Sequence, residues 1–197
     1  LDLSLLRNRE FLAMCLVPVA GSIGFVTLLT YLPSAFSGIR DLSAGQAGLL
    51  MLAMTIPVVI APTVVAKLVD TVTWINVGSV IYTSLAVLIF GDLGLMLLSE
   101  NRSLAWIIVP MILLGFGFGL PIGLVDGHAL QVVPPERTGT AAGLLNFFRL
   151  GSEAIFVAGY ALLLSTLIGQ KLTGDAATDT AAGQPGHPDV YTSAFTT

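Results

Sequence analysis

Charge is scarce in this sequence. Charged residues make up 10% of the 197 residues, against about 25% in an average soluble domain. Hydrophobic residues make up 55%, and the mean hydropathy is +0.90. So few charged side chains cannot cover the surface of a soluble protein of this size, which argues against a soluble enzyme or binding domain.

Clustered basic residues, cysteines and histidine clusters are missing as well. The 8 Lys and Arg against 12 Asp and Glu give a net charge of −4, and nucleic-acid binding needs clustered basic side chains, so no nucleic-acid partner is expected. The single Cys15 excludes an intrachain disulfide, and two distant histidines form no metal site. Because no nucleophile–base pair is visible, we predict no enzyme, no metal and no cofactor.

Long apolar runs fill most of the chain. A helix that spans the membrane needs about 20 apolar residues, and five runs qualify, at residues 11–32, 46–66, 75–98, 104–125 and 139–168. Because lipid offers the backbone no hydrogen-bond partners, continuous apolar runs form helices, whereas a barrel would alternate. The sequence predicts an all-α polytopic membrane protein whose residues 1–168 hold five transmembrane helices. If the N-terminus lies in the cytoplasm, the cytoplasmic side of the membrane carries a weak excess of basic residues.

The last stretch, residues 169–197, differs in composition. It is rich in Thr, Ala, Gly and Asp and has too few apolar residues to form a core. The sequence predicts a polar extramembrane loop here. Because residues 191–197 are more apolar again, we also expect the natural chain to continue into a further helix.

A row of glycines marks the fourth apolar run. Gly115, Gly119 and Gly123 are spaced four apart, and Pro121 interrupts the row. Small residues at this spacing let helix backbones approach closely within lipid. The row therefore indicates either simple packing or a flexible gating helix that lines a pathway.

Two charges lie inside the fifth apolar run. Arg149 and Glu153 are four residues apart, so they share a helix face about 15 and 21 Å beyond Gly139, near the middle of the bilayer. Each costs about 2.5–3.5 kcal/mol in the membrane. They form either a mutually neutralising pair that holds the bundle together or a substrate- and proton-handling site facing a wet cavity.

Three further ionisable residues lie near the ends of predicted helices. Asp126 and His128 lie at the cytoplasmic end of the fourth helix, where solvation at the interface and a proton relay are both open interpretations. Asp92 lies about 25 Å along the third helix, near its outer end. A wet vestibule explains Asp92 as well as a site does.

Three segments carry a family resemblance. Residues 42–50, LSAGQAGLL, resemble the L-S-x-x-Q-x-G-L-L helix start of many Major Facilitator Superfamily exporters. Residues 133–149, VPPERTGTAAGLLNFFR, resemble a loop and helix of their C-terminal half, and residues 3–9, LSLLRNR, fit the fourteen-helix drug:proton antiporter branch. One loop departs from the family pattern G-x-L-x-D-R-x-G-R-R. Residues 66–76 read AKLVDTVTWIN. Of the charged residues that form the family's usual latch between helices, Asp70 is present and the arginines are not.

The resemblance implies a fold and a function. The five helices would correspond to helices nine to thirteen of fourteen and form most of one six-helix half-bundle, with the N-terminal half of the same transporter as partner. A site between two rocking halves gives alternating access. The expected function is proton-coupled export of small lipophilic drugs or metabolites, with multidrug resistance, in the bacterial inner membrane. The alternatives are an uptake symporter of the same fold and a non-transporting membrane assembly or sensor module.

Overall fold

Five long helices dominate the structure. The computed structural model describes residues 3–72, 75–96, 104–182, 184 and 186–195. Within these residues, the helices long and apolar enough to cross a membrane are α1 (Arg9–Arg40), α2 (Ala44–Thr71), α3 (Val77–Leu95), α4 (Ala105–Gln131) and α5 (Pro135–Gly169). No strand occurs among them, which confirms the predicted all-α polytopic fold.

Polar side chains fix where the first two helices begin. Asn8 accepts hydrogen bonds from the backbone of Glu10 and Phe11 at the start of α1. Ser43 and Gln46 bond each other's backbone N–H groups at the start of α2. A side-chain cap of this kind contributes about 0.5–2 kcal/mol to helix stability. The Ser and Gln of the resembling motif at 42–50 therefore have a local structural role.

Most helices extend further than their apolar runs. The predicted end of the first helix at residue 32 is wrong, because α1 continues through Pro33 to Arg40, and proline is tolerated within membrane helices. The fourth helix extends beyond residue 125 to Gln131. The third helix is described as Val77–Leu95, and the predicted residues 97 and 98 lie outside the described part.

Helix α4 lies deep in the bundle, and its glycines account for this position. A Cβ on Gly119 would lie 2.8 Å from the Cβ of Ala61 and 2.9 Å from the Cα of Val58, both on α2. A Cβ on Gly115 would clash with the Met54 carbonyl of the same helix. No larger side chain fits between backbones at this distance, so the row holds α4 against α2.

Helix α4 is interrupted near its end. Its first part stops at Gly119, and helical geometry resumes over Leu124–Gln131. Gly123 has a φ of +80°, and a Cβ at this position would meet nothing within 4 Å. Of the two interpretations of the glycine row, simple packing therefore does not account for Gly123. Its role is conformational, since this backbone geometry favours glycine.

The described part of the polar tail is partly helical, whereas the sequence predicts a loop there. It contains two short helices, α6 (Asp175–Ala181) and α7 (Pro188–Phe195). The apolar residues of α7 share one helical face, and Tyr191 is completely buried with Phe195 nearly so, against the apolar core around α1. Composition alone missed this face because only a few residues form it.

Candidate functional site

The main charged contact in the bundle joins α4 to α5. The Arg149 guanidinium Nη2 donates to the carboxylate of Asp126, 2.7 Å from Oδ1 and 3.0 Å from Oδ2. The two side chains are 32% and 36% exposed, so the pair is partly sheltered from solvent. The interpretation that Arg149 and Glu153 neutralise each other is wrong, since Arg149 contacts the neighbouring helix. Arg before Glu at this spacing is also the weaker helical order.

Glu153 is left without an ionic partner. It lies one turn beyond Arg149 on α5 and is half-buried. Among the described residues it makes no hydrogen bond or ion pair. The structure therefore places a fixed ion pair and an unpaired carboxyl side by side within the membrane-spanning part of the chain.

A small cavity brings these three charges together. It measures about 40 Å³ and lies between α1, α3, α4 and α5, with Arg149, Asp126, Glu153 and Pro121 on its wall. A water molecule needs about 10–15 Å³, whereas drug-sized ligands occupy about 300–1,000 Å³. The cavity has room for water beside the carboxylates and no room for a drug-sized substrate.

Two serines tie α1 to α5 beside this cavity. The hydroxyls of Ser22 and Ser152 are buried and lie 2.9 Å apart, and the Ser152 hydroxyl also lies 2.9 Å from the Arg149 carbonyl. Ser22 begins a π-helical turn, Ser22–Val26, and such turns are frequent at functional sites. Sequence analysis missed this contact. The signal available was a small hydroxyl side chain inside each of two apolar runs.

A second polar contact lies at the ends of α1 and α4. The Nε2 atom of His128 is 2.7 Å from Oε1 of Glu10, and Asn8 Nδ2 donates to the Val132 carbonyl over 3.1 Å. The short segment Leu124–Gln131 is thus held on two sides, by α5 through Asp126 and by α1 through His128. Glu10 was not a candidate from sequence because its partner is 118 residues away.

The remaining predicted site residues lie elsewhere. Asp92 faces a separate cavity near the end of α3, and Asp70 is exposed on the last turn of α2. The structure therefore brings together Arg149, Glu153 and Asp126. It places His128 at the adjacent helix end and leaves Asp92 and Asp70 apart.

Comparison with known proteins decides the family. The profile of the Major Facilitator Superfamily matches residues 2–164. The chain belongs to the Major Facilitator Superfamily. The match confirms the family predicted from sequence, and this superfamily consists of multi-pass membrane transporters rather than enzymes.

Similar superfamily members carry multidrug names. The multidrug resistance protein Stp of Mycobacterium tuberculosis is 29% identical over 168 residues, which are 85% of this chain and 30% of Stp. The multidrug transporter protein MdtP of Bacillus subtilis is 28% identical over 149 residues, which are 76% of this chain and 27% of MdtP. The chain thus spans about 30% of the length of these relatives. No solved structure gives a significant match.

Proposed function

We propose that this chain is part of a proton-coupled exporter of small lipophilic molecules that works by alternating access. One observation carries the proposal, namely the unpaired Glu153 beside the Arg149–Asp126 ion pair on one cavity. Ionisable residues inside a membrane are costly and usually serve transport or proton transfer. The multidrug names of the similar proteins support the same substrate class.

Glu153 and Asp126 compete for the guanidinium of Arg149, and this competition couples the protonation of Glu153 to the contact between α5 and α4. Arg149 is effectively always protonated, and Glu153 lies about 5–6 Å along the same helix face. In this proposal, a neutral Glu153 does not compete for Arg149, which then stays with Asp126. A deprotonated Glu153 competes for Arg149 and weakens the hold of α5 on α4.

The short segment Leu124–Gln131 is the element that responds. It carries Asp126 and follows Gly123, whose positive φ separates it from the rest of α4. Release of Asp126 frees one side of the segment, while His128 holds the other side to Glu10. In this proposal the segment is a gate at the cytoplasmic end, and the charge of Glu153 biases it.

Other parts of the natural protein complete the substrate site. The cavity beside Arg149 is too small for a drug-sized molecule, so the substrate lies between this bundle and the N-terminal half of the transporter. Large apolar side chains on the outer faces of α5, such as Phe147, Leu150 and Ile155, are exposed. They face the lipid of the bacterial inner membrane or that partner half.

Transport in vesicles tests this function. The full natural protein is reconstituted into proteoliposomes with a pH gradient and a lipophilic fluorescent dye, and dye and proton movements are recorded together. Export predicts that dye and protons move in opposite directions and that collapsing the gradient stops concentrative dye movement. Movement in the same direction would indicate the uptake symporter, and dye movement that ignores the gradient would contradict proton coupling.

A further inference from the structure

The contact between His128 and Glu10 joins two distant parts of the chain at one end of the bundle. Nε2 of His128 on α4 lies 2.7 Å from Oε1 of Glu10, which is in the first turn of α1. Beside this contact, Asn8 Nδ2 donates to the Val132 carbonyl. The segment Leu124–Gln131 is therefore fastened to the start of α1, whereas the proton-coupling step proposed above acts on the side of the segment that faces α5.

The strength of this contact depends on the charge of the histidine. Histidine is the side chain that ordinarily changes its charge between about pH 5 and 8. A charged ring adds Coulomb attraction to its hydrogen bond with the Glu10 carboxylate, whereas a neutral ring does not. The side chains of His128 and Glu10 are 26% and 56% exposed, so water and protons reach both. The contact is therefore able to respond to the pH of the surrounding solution.

The other charged and titratable groups around the segment do not contact His128. Among the described residues, Glu10 is its ion-pair partner, and Asp126 on the same segment is paired with Arg149 of α5. Other such residues on the packed elements are exposed, namely Arg7, Arg9, Tyr82 and Glu136. The rest are engaged or lie elsewhere, namely Arg137 on the Ser4 hydroxyl, Cys15 in an apolar cluster, and Glu153 and Asp92 on the two cavities. The charge of His128 therefore acts most directly on Glu10.

Gly123 separates the segment Leu124–Gln131 from the rest of α4. Its φ is +80°, and a Cβ there would meet nothing within 4 Å, so no side chain packs against the chain at this joint. Two ionic contacts beyond the joint then set the position of the segment, Asp126 with α5 and His128 with α1. In the proposed function the charge of Glu153 biases the first contact. The pH of the solution at this end of the bundle biases the second.

We propose that His128 senses cytoplasmic pH and fastens the segment Leu124–Gln131 to α1 when the cytoplasm becomes acidic. The cytoplasmic position and the gating role of this segment rest on the proposed function. An exporter driven by protons brings protons into the cell in every cycle, so a gate that closes in an acidic cytoplasm limits further proton entry. When the ring loses its proton, the Coulomb attraction to Glu10 is lost and the segment opens more readily.

Hydrogen exchange over residues 124–131 tests the sensor without any transport. The parent is the full natural protein with Glu153→Gln, so that Glu153 cannot contribute to the pH dependence. Protection factors, which remove the pH dependence of the exchange chemistry itself, are compared at about pH 5.5 and about pH 7.5, on the two sides of ordinary histidine titration. We expect protection to be about 2- to 5-fold higher at the lower pH, because a partly exposed ion pair contributes an effect of this size.

Three substitutions, each added separately to this parent, identify the groups responsible. His128→Gln keeps a hydrogen-bonding side chain that cannot be charged, and Glu10→Gln removes the carboxylate, so each is expected to abolish the difference between the two pH values. As a control, His187→Gln makes the same change at an exposed histidine of the tail and is expected to retain the difference. Melting temperatures establish that each variant is folded. Absence of the difference in the parent or in His187→Gln, or its survival in His128→Gln or Glu10→Gln, would overturn the proposal.

Dye export in proteoliposomes connects the sensor to the proposed function. The pH difference across the membrane is held fixed while both sides are made more acidic together, and wild type is compared with His128→Gln and His187→Gln. Acidification is expected to slow export about 2- to 5-fold more in wild type and His187→Gln than in His128→Gln. Equal pH profiles in wild type and His128→Gln would overturn the regulatory role. Dye movement that ignores the gradient would instead contradict the proposed function, and the exchange measurement would still decide whether His128 is the sensor.

Discussion

The Arg149–Asp126 ion pair makes the sharpest prediction about stability. A double-mutant cycle combines Arg149→Gln with Asp126→Asn and measures the coupling energy between the two side chains. A parallel cycle pairs Arg149→Gln with Glu153→Gln. The structure predicts strong coupling in the first cycle and weaker coupling in the second, because Arg149 contacts Asp126 and not Glu153.

The geometry sets the size of the effect. Exposed ion pairs contribute about 0–1 kcal/mol, whereas breaking a buried pair costs about 3–5 kcal/mol. Both side chains here are about one-third exposed, and the two contacts come from a single nitrogen of Arg149. We therefore expect a coupling energy of about 1–3 kcal/mol.

The single variants are expected to destabilise the protein to different degrees. Arg149→Gln leaves the carboxylates of Asp126 and Glu153 on one cavity without a cation, so it is expected to destabilise the most. Asp126→Asn is milder because Glu153 can then take the guanidinium. Unfolding of the full natural protein in a titration of mixed SDS and dodecylmaltoside micelles measures these free energies. A coupling below about 0.5 kcal/mol for Arg149 and Asp126, or larger coupling to Glu153, would refute the reasoning.

Four further predictions concern packing, the tail and the gate. Gly119→Ala is expected to lower the melting temperature because the added Cβ meets α2. As a control, Gly143→Ala is expected to match or exceed the wild-type melting temperature, because a Cβ there meets nothing within 4 Å. Equal melting temperatures in the two variants would contradict the close packing of α4 against α2. The buried hydroxyl of Tyr191 has no partner among the described residues, so Tyr191→Phe is expected to be neutral or stabilising by about 1 kcal/mol in thermal unfolding, and a loss of stability would contradict this. Burial also raises the pKa of Tyr191, so the stability that depends on its neutral hydroxyl is present below about pH 10 and is lost at higher pH. The loss of stability at alkaline pH is therefore expected to be smaller in Tyr191→Phe than in wild type. An unchanged loss would contradict this. His128→Ala removes the contact with Glu10 and is expected to speed hydrogen exchange over 124–131 relative to wild type, which unchanged exchange would contradict.

The helices were predictable because their signal is local. Continuous apolar runs of about 20 residues indicate membrane spans whatever the tertiary structure. The capping pair Ser43 and Gln46 lies within one motif and could be read from it. Helix ends were less predictable, since Pro33 and Asp126 look like terminators in sequence and are accommodated by their surroundings.

The pairing of charges was not predictable from the sequence. Helical periodicity identifies neighbours on one helix, and it therefore suggested Glu153 as the partner of Arg149. The actual partner, Asp126, lies on another helix, and its position depends on how α4 packs against α5. The same reason explains why Ser22 and Ser152 were missed, since each is an ordinary residue until the helices meet.

The central claim is that the charge of Glu153 couples proton movement to transport. The most direct measurement compares proton flux driven by substrate in proteoliposomes that contain wild-type or Glu153→Gln full natural protein. The control is Asp175→Asn, which removes an exposed carboxylate on α6, outside the membrane spans. Glutamine keeps the shape of the side chain and cannot carry a proton, so the account predicts folded Glu153→Gln protein without substrate-driven proton movement. It predicts wild-type flux in Asp175→Asn. Unchanged proton movement in Glu153→Gln would contradict the account.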